Sequence, residues 1–375
     1  MLNNYVKKVF LCNAQKSAKL YLTDQPVAGW RTEYSSHISN FTESGDASIF
    51  QSGSGSTGSR KRKLPQEEED TRKRKRTSTP NPSEEGVVVN SRKRKASEEQ
   101  VRPSKKRRQE EASWQEFETK YCQQHPLGEG GFGSVYAGFR RADLFPVAIK
   151  HISRENVISK GVSVNGKVLP AEVAFMLRIR DAEGSVSLLD FYDLDQELIL
   201  VLERLDPCAD LLDYITDRGG FLQEEDAKII LKQVVKAARE LQTKRIFHRD
   251  IKIENILIGT GTAVPQAKLI DFGLSCITTK KSTYSTFYGT SAHIPPEWYQ
   301  SCKYSAGPTT VWQLGVVLFE MLHGGIFETT SYMDNKINIR EKLSESSKDI
   351  LRLCLHPDPH QRPSLKQLRF HPWLQ

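Results

Sequence analysis

The 375-residue sequence lacks the patterns that would assign it to several common classes of protein. Its six cysteines are scattered singly with no C-x-x-C pair, which argues against a zinc or dithiol-redox site and suits a reducing compartment. No apolar run is long enough to cross a membrane, since the longest, at 311–322, is interrupted by Gln313 and Glu320 and suits a buried helix. The apolar stretch near the N-terminus is broken, so we expect neither a signal nor a transit peptide.

Apolar side chains are also scarce between residues 51 and 113. QSGSGSTGS at 51–59 has a flexible-linker composition, and basic clusters alternate with glutamate-rich patches after it. The four clusters are SRKRK (59–63), TRKRKR (71–76), SRKRK (91–95) and SKKRR (104–108). A segment that cannot bury apolar surface does not fold alone, so we predict a disordered low-complexity tail over 51–113. Residues 1–50 remain unassigned, and a globular domain is predicted over 114–375.

The basic character of the chain belongs to this tail alone. The net charge is +8, and residues 60–112, with 18 basic and 10 acidic side chains, account for all of it. Import receptors read extended basic peptides, so the clusters within 59–108 predict a protein that is both nuclear and cytoplasmic. A charged, solvated tail without this role is the alternative. Nucleic-acid binding is disfavoured, because no aromatic residues are interleaved for base stacking.

Along the globular part, the sequence patterns change from those typical of strands to those typical of helices. GSVYAGFRRADLFPVAIKHI (133–152) and ELILVLE (197–203) favour strands, and LPAEVAFMLRIRDA (169–182) between them favours a helix. EEDAKIILKQVVKAARELQ (224–242) has its apolar residues on one helical face. The sequence therefore predicts an α+β protein in which a small strand-rich region precedes a larger helical one.

A glycine-rich stretch and a lysine suggest a phosphate site in the strand-rich region. LGEGGFGSV (127–135) fits G-x-G-x-x-G-x-V, and glycines let backbone N–H groups approach phosphates closely. A strand follows it rather than a helix, so it is not a Rossmann turn. Lys150 ends the apolar strand VAIK and could pair with Glu172 on the next helix, which would hold the ammonium against phosphate oxygens. A merely solvated lysine is the alternative.

Two motifs in the helical region supply the remaining chemistry. HRDIKIEN (248–255) offers Asp250 to accept a hydroxyl proton, Lys252 to hold a transferring phosphoryl group and the amide oxygen of Asn255 for a hard cation. DFG at 271–273 adds Asp271 as a second magnesium ligand. Each short motif could arise by chance, but four of them in this order indicate phosphoryl transfer.

The ordered motifs resemble those of the eukaryotic protein kinases over about 116–375, and those of the PIM serine/threonine kinases more closely. The segments that carry the PIM resemblance are LVLERLDPCADLLDYITDRG (200–219), HRDIKIENILI (248–258), KLIDFG (268–273), IPPEWYQ (294–300) and HPWLQ (371–375). PPE (295–297) stands where the family reads A-P-E, and Glu297 can pair with Arg362. GT at 289–290 and Lys252 look like the serine/threonine branch.

The resemblance implies a bilobal fold with an antiparallel-sheet N-lobe over 117–203 and a helical C-lobe over 206–375. ATP would lie between the lobes, with adenine at the hinge. The residues expected to bind it are Leu127, Gly128, Glu129, Gly130, Gly131, Phe132, Gly133, Ser134, Val135, Ala148, Lys150, Glu172, Glu203, Leu205 and Leu257. Mg²⁺ would be held by Asn255 and Asp271, and Asp250 and Lys252 would be catalytic. We expect a monomer that acts on protein substrates.

The resemblance also implies a preference for basic substrates. PIM-like kinases favour arginine or lysine at the fifth and third positions before the target hydroxyl, and Asp210, Asp213 and Glu254 match the positions that face these cations. The tail itself carries this pattern before Ser97 and Thr77, which predicts autophosphorylation at both. An accidental match in a basic tail is the alternative.

The resemblance further implies activity without phosphorylation. The segment from Asp271 to Glu297 contains Thr283, Tyr284, Ser285, Thr286 and Thr290, and Arg249 could hold a phosphate placed there. PIM kinases order this segment without a phosphate, so we expect constitutive activity.

Three positions depart from the expected pattern. Leu205 replaces the PIM hinge proline and restores a backbone donor. Ile253 replaces an acidic residue of the catalytic loop. Thr310 stands where most kinases have an aspartate, although PIM kinases also lack it. A pseudokinase scaffold is the alternative function, but Lys150, Asp250 and Asp271 are all retained.

Overall fold

The structure is a computed structural model that describes residues 105–130, 133–157, 162–164 and 166–375. Ser97, Thr77 and the first three basic clusters lie outside these residues, as do Gly131 and Phe132 of the glycine-rich stretch. The predictions made for them therefore stay predictions.

An antiparallel sheet of five strands forms the N-terminal lobe, in the order β1-β2-β3-β7-β6. In chain order the elements of this lobe are α1 (Lys105–Lys120), β1 (Tyr121–Gly130), β2 (Gly133–Arg140), β3 (Pro146–Ser153), β4 (Val162–Val164), β5 (Lys167–Leu169), α2 (Ala171–Ile179), β6 (Leu188–Asp193) and β7 (Glu197–Glu203). The strand ELILVLE and the helix that precedes it are thus confirmed, and so is the predicted fold class. The short β4–β5 hairpin was not predicted.

Alternation along β3 gives the sheet two different faces. Val147 and Ile149 are buried in a cluster with Phe117 of α1. Lys150 and Ile152 point to the opposite face, because successive strand residues alternate in direction. Ile152 joins the larger core that also contains Phe175 of α2. The pleat therefore turns Lys150 toward α2, where Glu172 lies in the first helical turn.

Helix α1 corrects the boundary predicted at residue 114, because residues 105–113, which the sequence assigned to the disordered tail, are helical. Their charged side chains are anchored on the β6–β7 turn. Lys106 Nζ lies 2.8 Å from Asp195 Oδ1, and Glu110 accepts a hydrogen bond from the backbone N–H of Asp195. Further along the helix, Phe117 is buried on the sheet. Docking thus stabilises a charged helix that apolar content alone does not predict.

Helices and short strand pairs form the C-terminal lobe. In chain order its elements are β8 (Cys208–Asp210), α3 (Leu211–Thr216), α4 (Glu224–Thr243), β9 (Ile246–Phe247), β10 (Ile256–Gly259), β11 (Gln266–Leu269), β12 (Cys276–Ile277), α5 (Pro296–Ser301), α6 (Ala306–His323), α7 (Thr329–Met333), α8 (Glu345–Cys354) and α9 (Leu365–Leu368). Strands β10 and β11 form an antiparallel hairpin, and β8 pairs with the other side of β10. The predicted helix at 224–242 is confirmed as α4.

The core of this lobe lies between α4, α6 and α8. Helix α4 buries one face, as its apolar spacing predicts. Helix α6 is buried from Thr309 to His323, and the buried residues include five with polar side chains, Thr309, Thr310, Gln313, Glu320 and His323. Among the described residues, no helix has both the length and the apolar character needed to cross a membrane.

Candidate active site

The described residues of the glycine-rich stretch form the end of β1 and the start of β2. Gly133 has φ +134°, and a Cβ built there would lie 1.9 Å from the carbonyl oxygen of His151. Only glycine fits this position, because the neighbouring strand backbone approaches it directly. Gly128 meets no such obstacle. Two residues after Gly133, Val135 of β2 pairs with Lys150 of β3. The register of β2 and β3 therefore places the glycine-rich stretch beside the lysine.

Lys150 bridges the two lobes. Its Nζ lies 2.9 Å from Glu172 Oε1 on α2 and 3.1 Å from Asp271 Oδ1 in the C-terminal lobe. The side chains of Lys150 and Glu172 are only 9% and 11% exposed, and that of Asp271 is 23% exposed. The structure thus brings together the lysine, the glutamate and the aspartate that the sequence proposed for one site.

The pKa shifts of Lys150 and Asp271 favour the charged forms of both groups. Burial lowers the pKa of Lys150, but the charges of Glu172 and Asp271 outweigh burial and hold that pKa above its usual value. Burial likewise opposes ionisation of Asp271, but the nearby ammonium holds the pKa of its carboxyl below the usual range. Burial raises the pKa of Glu172 even with the ammonium beside it. The lysine is therefore a fixed cation aimed at the cleft between the lobes.

The carboxylate of Asp250 is fixed at both oxygens. Oδ1 accepts hydrogen bonds from the backbone N–H and the hydroxyl of Thr290, at 2.9 and 2.8 Å. Oδ2 accepts one from Asn255 Nδ2 at 3.2 Å, and Lys252 Nζ lies 3.8 Å away. An orientation fixed in this way is what a group needs if it is to take a proton from a substrate hydroxyl. In the sequence, GT at 289–290 indicates the serine/threonine branch and Thr290 is one of several residues that could carry a phosphate, but nothing there predicts this contact.

Asn255 and Asp271 offer the donor set that Mg²⁺ prefers. Asn255 Nδ2 also donates to the carbonyl oxygen of Asp250 at 2.8 Å, which turns the amide oxygen away from that residue. Mg²⁺ is commonly held by one or two side-chain oxygens together with substrate phosphates. An amide oxygen and a carboxylate therefore fit this cation.

His248 positions the segment that leads from β11 into DFG, a role that the sequence alone does not indicate. Its Nε2 lies 3.0 Å from the carbonyl oxygen of Ile270, and its ring packs edge-on against Phe272 at 5.0 Å. Burial lowers its pKa, so the imidazole is neutral and can donate this bond. Asp271, which follows Ile270 in the chain, has φ +62°. The histidine thus ties the catalytic loop to the backbone immediately before Asp271.

The residues proposed to surround adenine at the hinge also contact other parts of the protein. Glu203 accepts hydrogen bonds from Lys268 Nζ and from the backbone N–H of Ser187, so its side chain serves the hinge structure. Leu205 packs closely on Gly259, where an added Cβ would lie 2.6 Å from the leucine Cδ2. Ala148 lies on β3 opposite Leu202 of β7, next to the hinge.

Three carboxylates proposed to contact substrate lie near one another. Asp210 caps α3 by accepting a hydrogen bond from the backbone N–H of Asp213 at 2.8 Å. Burial raises the pKa of Asp210, and the charges of Asp213 and Glu254 add to this rise. Leu257 of β10, proposed to pack on adenine, pairs with Asp210. The carboxylates therefore form an acidic cluster beside the predicted nucleotide site.

The PPE segment is anchored by a buried ion pair. Arg362 donates to Glu297 through both terminal nitrogens, at 3.0 and 2.7 Å. The same guanidinium donates to the carbonyl oxygens of His356 and Pro308. The pair that the sequence proposed is therefore present, and it fixes the end of the segment that begins at DFG.

Residues 121–374 match the family model described as the protein kinase domain. The chain belongs to the protein kinase family. Zebrafish (Danio rerio) pim-2, a serine/threonine-protein kinase, is 42% identical over 270 residues, which cover 69% of this chain and 86% of the relative. Caenorhabditis elegans prk-2 is 35% identical over 264 residues, 69% of this chain but 59% of the relative. Within its family this kinase is PIM-like, and the family uses ATP and Mg²⁺.

Proposed function

We propose that this kinase is a catalytically competent PIM-like enzyme that phosphorylates serine and threonine in Lys/Arg-rich contexts. The observation that carries the proposal is the assembled Lys150–Glu172–Asp271 triad together with Asp250 fixed by Thr290. A pseudokinase scaffold has no need of this arrangement. Burying three charged groups is costly unless they serve each other or a ligand.

In the proposed mechanism the residues act mainly by position and charge. Asp250 orients the substrate hydroxyl and accepts its proton, while the phosphoryl group passes in line from ATP to the hydroxyl oxygen and ADP leaves. Lys150 neutralises the α- and β-phosphates, and Lys252 steadies the γ-phosphate. Asn255 and Asp271 would hold Mg²⁺, which supplies further neutralisation of phosphate charge.

The acidic cluster of Asp210, Asp213 and Glu254 supports the basic substrate preference. Their mutual repulsion is relieved when cationic side chains bind between them, and pairs between guanidinium and carboxylate groups are geometrically specific. Ile253 is buried, so the acidic residue that it replaces has no counterpart in this cluster. We expect the preference to rest on the remaining three carboxylates.

Activity without phosphorylation is also proposed. The guanidinium of Arg249 lies over the rings of Tyr284 and Tyr288, at 4.9 and 4.8 Å from their centroids. Residues 274–296 contain no acidic side chain, so this cation is held from the segment by the two aromatic faces and by the carbonyl oxygen of Leu274, which accepts a hydrogen bond from its Nη1. Tyr284 is itself packed against Phe247 and Tyr304. This packing supports an ordered segment with no phosphate.

Two proposals concern the part of the tail before residue 105, which lies outside the described residues. Ser97, and less strongly Thr77, would be phosphorylated by the kinase itself, since a short tether raises the effective concentration of the tail at the cleft. The basic clusters would direct the protein to the nucleus, and added phosphate would weaken their binding to import receptors. Part of the fourth cluster lies in α1, so we expect the three earlier clusters to dominate import.

The experiment that tests the proposed function is transfer from Mg-ATP to a peptide with arginine at the fifth and third positions before serine. Asp250→Asn and Lys150→Met should each abolish transfer, while circular dichroism shows that each variant is folded. Replacing both arginines of the peptide by alanine should raise KM by about tenfold or more. Transfer at the wild-type rate by either variant, or equal KM for both peptides, would overturn the corresponding part of the proposal.

A further inference from the structure

One buried amide in the C-terminal lobe is not explained by packing. Gln313 lies in the middle of α6, within an otherwise mostly apolar sequence, and is 2% exposed. Its Nε2 donates a hydrogen bond to the backbone carbonyl oxygen of Arg249. Its Oε1 is buried, and no partner for it occurs in the part of the chain that the structure describes. A buried amide with one unmet group destabilises a core, so an apolar residue would suit packing alone better.

The carbonyl that Gln313 holds is next to the catalytic aspartate. Arg249 has φ +76°, a backbone conformation that a side-chain-bearing residue rarely adopts. Its carbonyl carbon and oxygen share one planar peptide unit with the nitrogen of Asp250. A rotation of that unit would therefore move the Asp250 backbone and carry its carboxylate with it.

The same carbonyl also faces the segment that fixes the carboxylate from the other side. A Cβ built on Gly289 would lie 2.7 Å from the Arg249 oxygen, so the two backbones touch there. The next residue, Thr290, makes both hydrogen bonds to Asp250 Oδ1. The Arg249 carbonyl thus lies between α6, the catalytic loop and the Gly289–Thr290 turn.

We infer that Gln313 is a positioning residue for phosphoryl transfer, because its hydrogen bond to the Arg249 carbonyl fixes the peptide unit that carries Asp250. Thr310, one turn earlier on α6, does not share this role, since its hydroxyl donates to the carbonyl oxygen of Ala306 within the same helix. Gln313 touches neither nucleotide nor peptide and acts only through the backbone.

The inference rests on the kinase activity of this chain and not on its preference for basic substrates. An inactive wild-type enzyme would count against the proposed function. An active wild type with equally active Gln313 variants would count against this inference alone.

The test compares Gln313→Met, which keeps the volume and removes the donor, with Leu318→Met as a matched repacking elsewhere in the same buried helix. The rate of phosphoryl transfer is measured by rapid quench in a single turnover. It is divided by the concentration of folded enzyme, which is determined by titration with ATP. We expect Gln313→Met to transfer phosphate about tenfold more slowly or worse, because small misplacements of a reacting group have large effects on rate. The Kd for Mg-ATP should change less than twofold, and Leu318→Met should transfer at the wild-type rate.

A purely structural role predicts the opposite division: a lower thermal midpoint with an unchanged transfer rate per folded molecule. That result would overturn the inference, and so would an equal loss of rate in Leu318→Met. If Gln313→Met does not fold, Gln313→Asn decides, since it keeps the amide but is one methylene too short to reach the carbonyl. A wild-type transfer rate in folded Gln313→Asn would also overturn it.

Discussion

Thr290 donates two hydrogen bonds to a single oxygen of Asp250, one from its backbone N–H at 2.9 Å and one from its hydroxyl at 2.8 Å. Thr290→Val keeps the shape of the side chain and the backbone bond but removes the hydroxyl donor. We expect kcat to fall by about tenfold or more, since a hydrogen bond to a carboxylate contributes roughly 1.5–3 kcal/mol. Thr290→Ser should keep near wild-type kcat. Steady-state kinetics decide, and equal kcat for the valine and serine variants would refute the role of the hydroxyl.

The stacking of Arg249 on two tyrosine rings leads to a prediction about activation. Phosphatase-treated enzyme should retain most of its activity, because the rings rather than a phosphate hold the arginine. Tyr288→Phe keeps the ring and should be as active as wild type, while Tyr288→Ala should lose activity several-fold. Activity that disappears with phosphatase treatment and returns only on rephosphorylation would contradict this.

Stability should depend on pH through His323. Its ring stacks on Phe319 with centroids 3.8 Å apart, and its Nε2 accepts a hydrogen bond from the backbone N–H of Arg340. Burial lowers its pKa from 6.5 to about 4. Between these values the unfolded chain binds a proton that the folded chain excludes, so this contribution is complete above about pH 6.5 and is lost as the pH falls toward 4.

The expected loss between pH 7.5 and pH 5 is about 1–2 kcal/mol in the free energy of unfolding, after allowance for partial solvation. The side chain at position 323 of the His323→Gln variant cannot titrate. The free energy of unfolding of this variant should therefore fall between the two pH values by less than that of wild type, and the difference should equal the loss given above. Urea unfolding at both pH values measures the difference. Identical pH dependence in the two proteins would rule out the contribution of His323.

Autophosphorylation of the tail is tested by phosphopeptide mapping of wild type against Asp250→Asn. We expect phosphate on Ser97 and, at lower occupancy, on Thr77 in the wild type only. Arg92→Gln with Arg94→Gln should reduce modification of Ser97 and leave Thr77 unaffected, which makes each site the control for the other. Equal modification in the Asp250→Asn protein would show that another kinase is responsible.

Nuclear enrichment is tested by deletion. A protein without residues 59–95 loses three of the four basic clusters and keeps all of α1, so its fold should be intact. We expect its nuclear-to-cytoplasmic ratio to fall several-fold. A ratio equal to that of the full chain would show that the clusters have no role in nuclear import.

The sequence predicted the groups of the site better than the contacts that hold them. Lys150, Asp250 and Asp271 belong to short motifs whose residue types and order are visible in one dimension. Thr290 lies 40 residues after Asp250 along the chain, and Gln313 lies 64 residues after Arg249. Only the folded structure shows that these residues are in contact. Gln313 was noticed merely as an interruption of an apolar run, because a buried amide looks the same in sequence whatever its partner.

The start of the domain shows a different limit of sequence reasoning. Residues 105–113 are so charged that composition indicates disorder, and their helix depends on a turn almost ninety residues later. Hydrophobic spacing cannot detect a helix that is stabilised by ion pairs and by one aromatic anchor.

Helix α1 has a practical consequence for work with this protein. The family match begins at Tyr121, but Phe117 of α1 covers Val147, Ile149, Ile199 and Val201 on the outer face of the sheet. A protein truncated at Tyr121 would expose this apolar face of the sheet to water. It would tend to aggregate on expression even with an intact catalytic centre. A recombinant catalytic domain should therefore begin no later than Lys105.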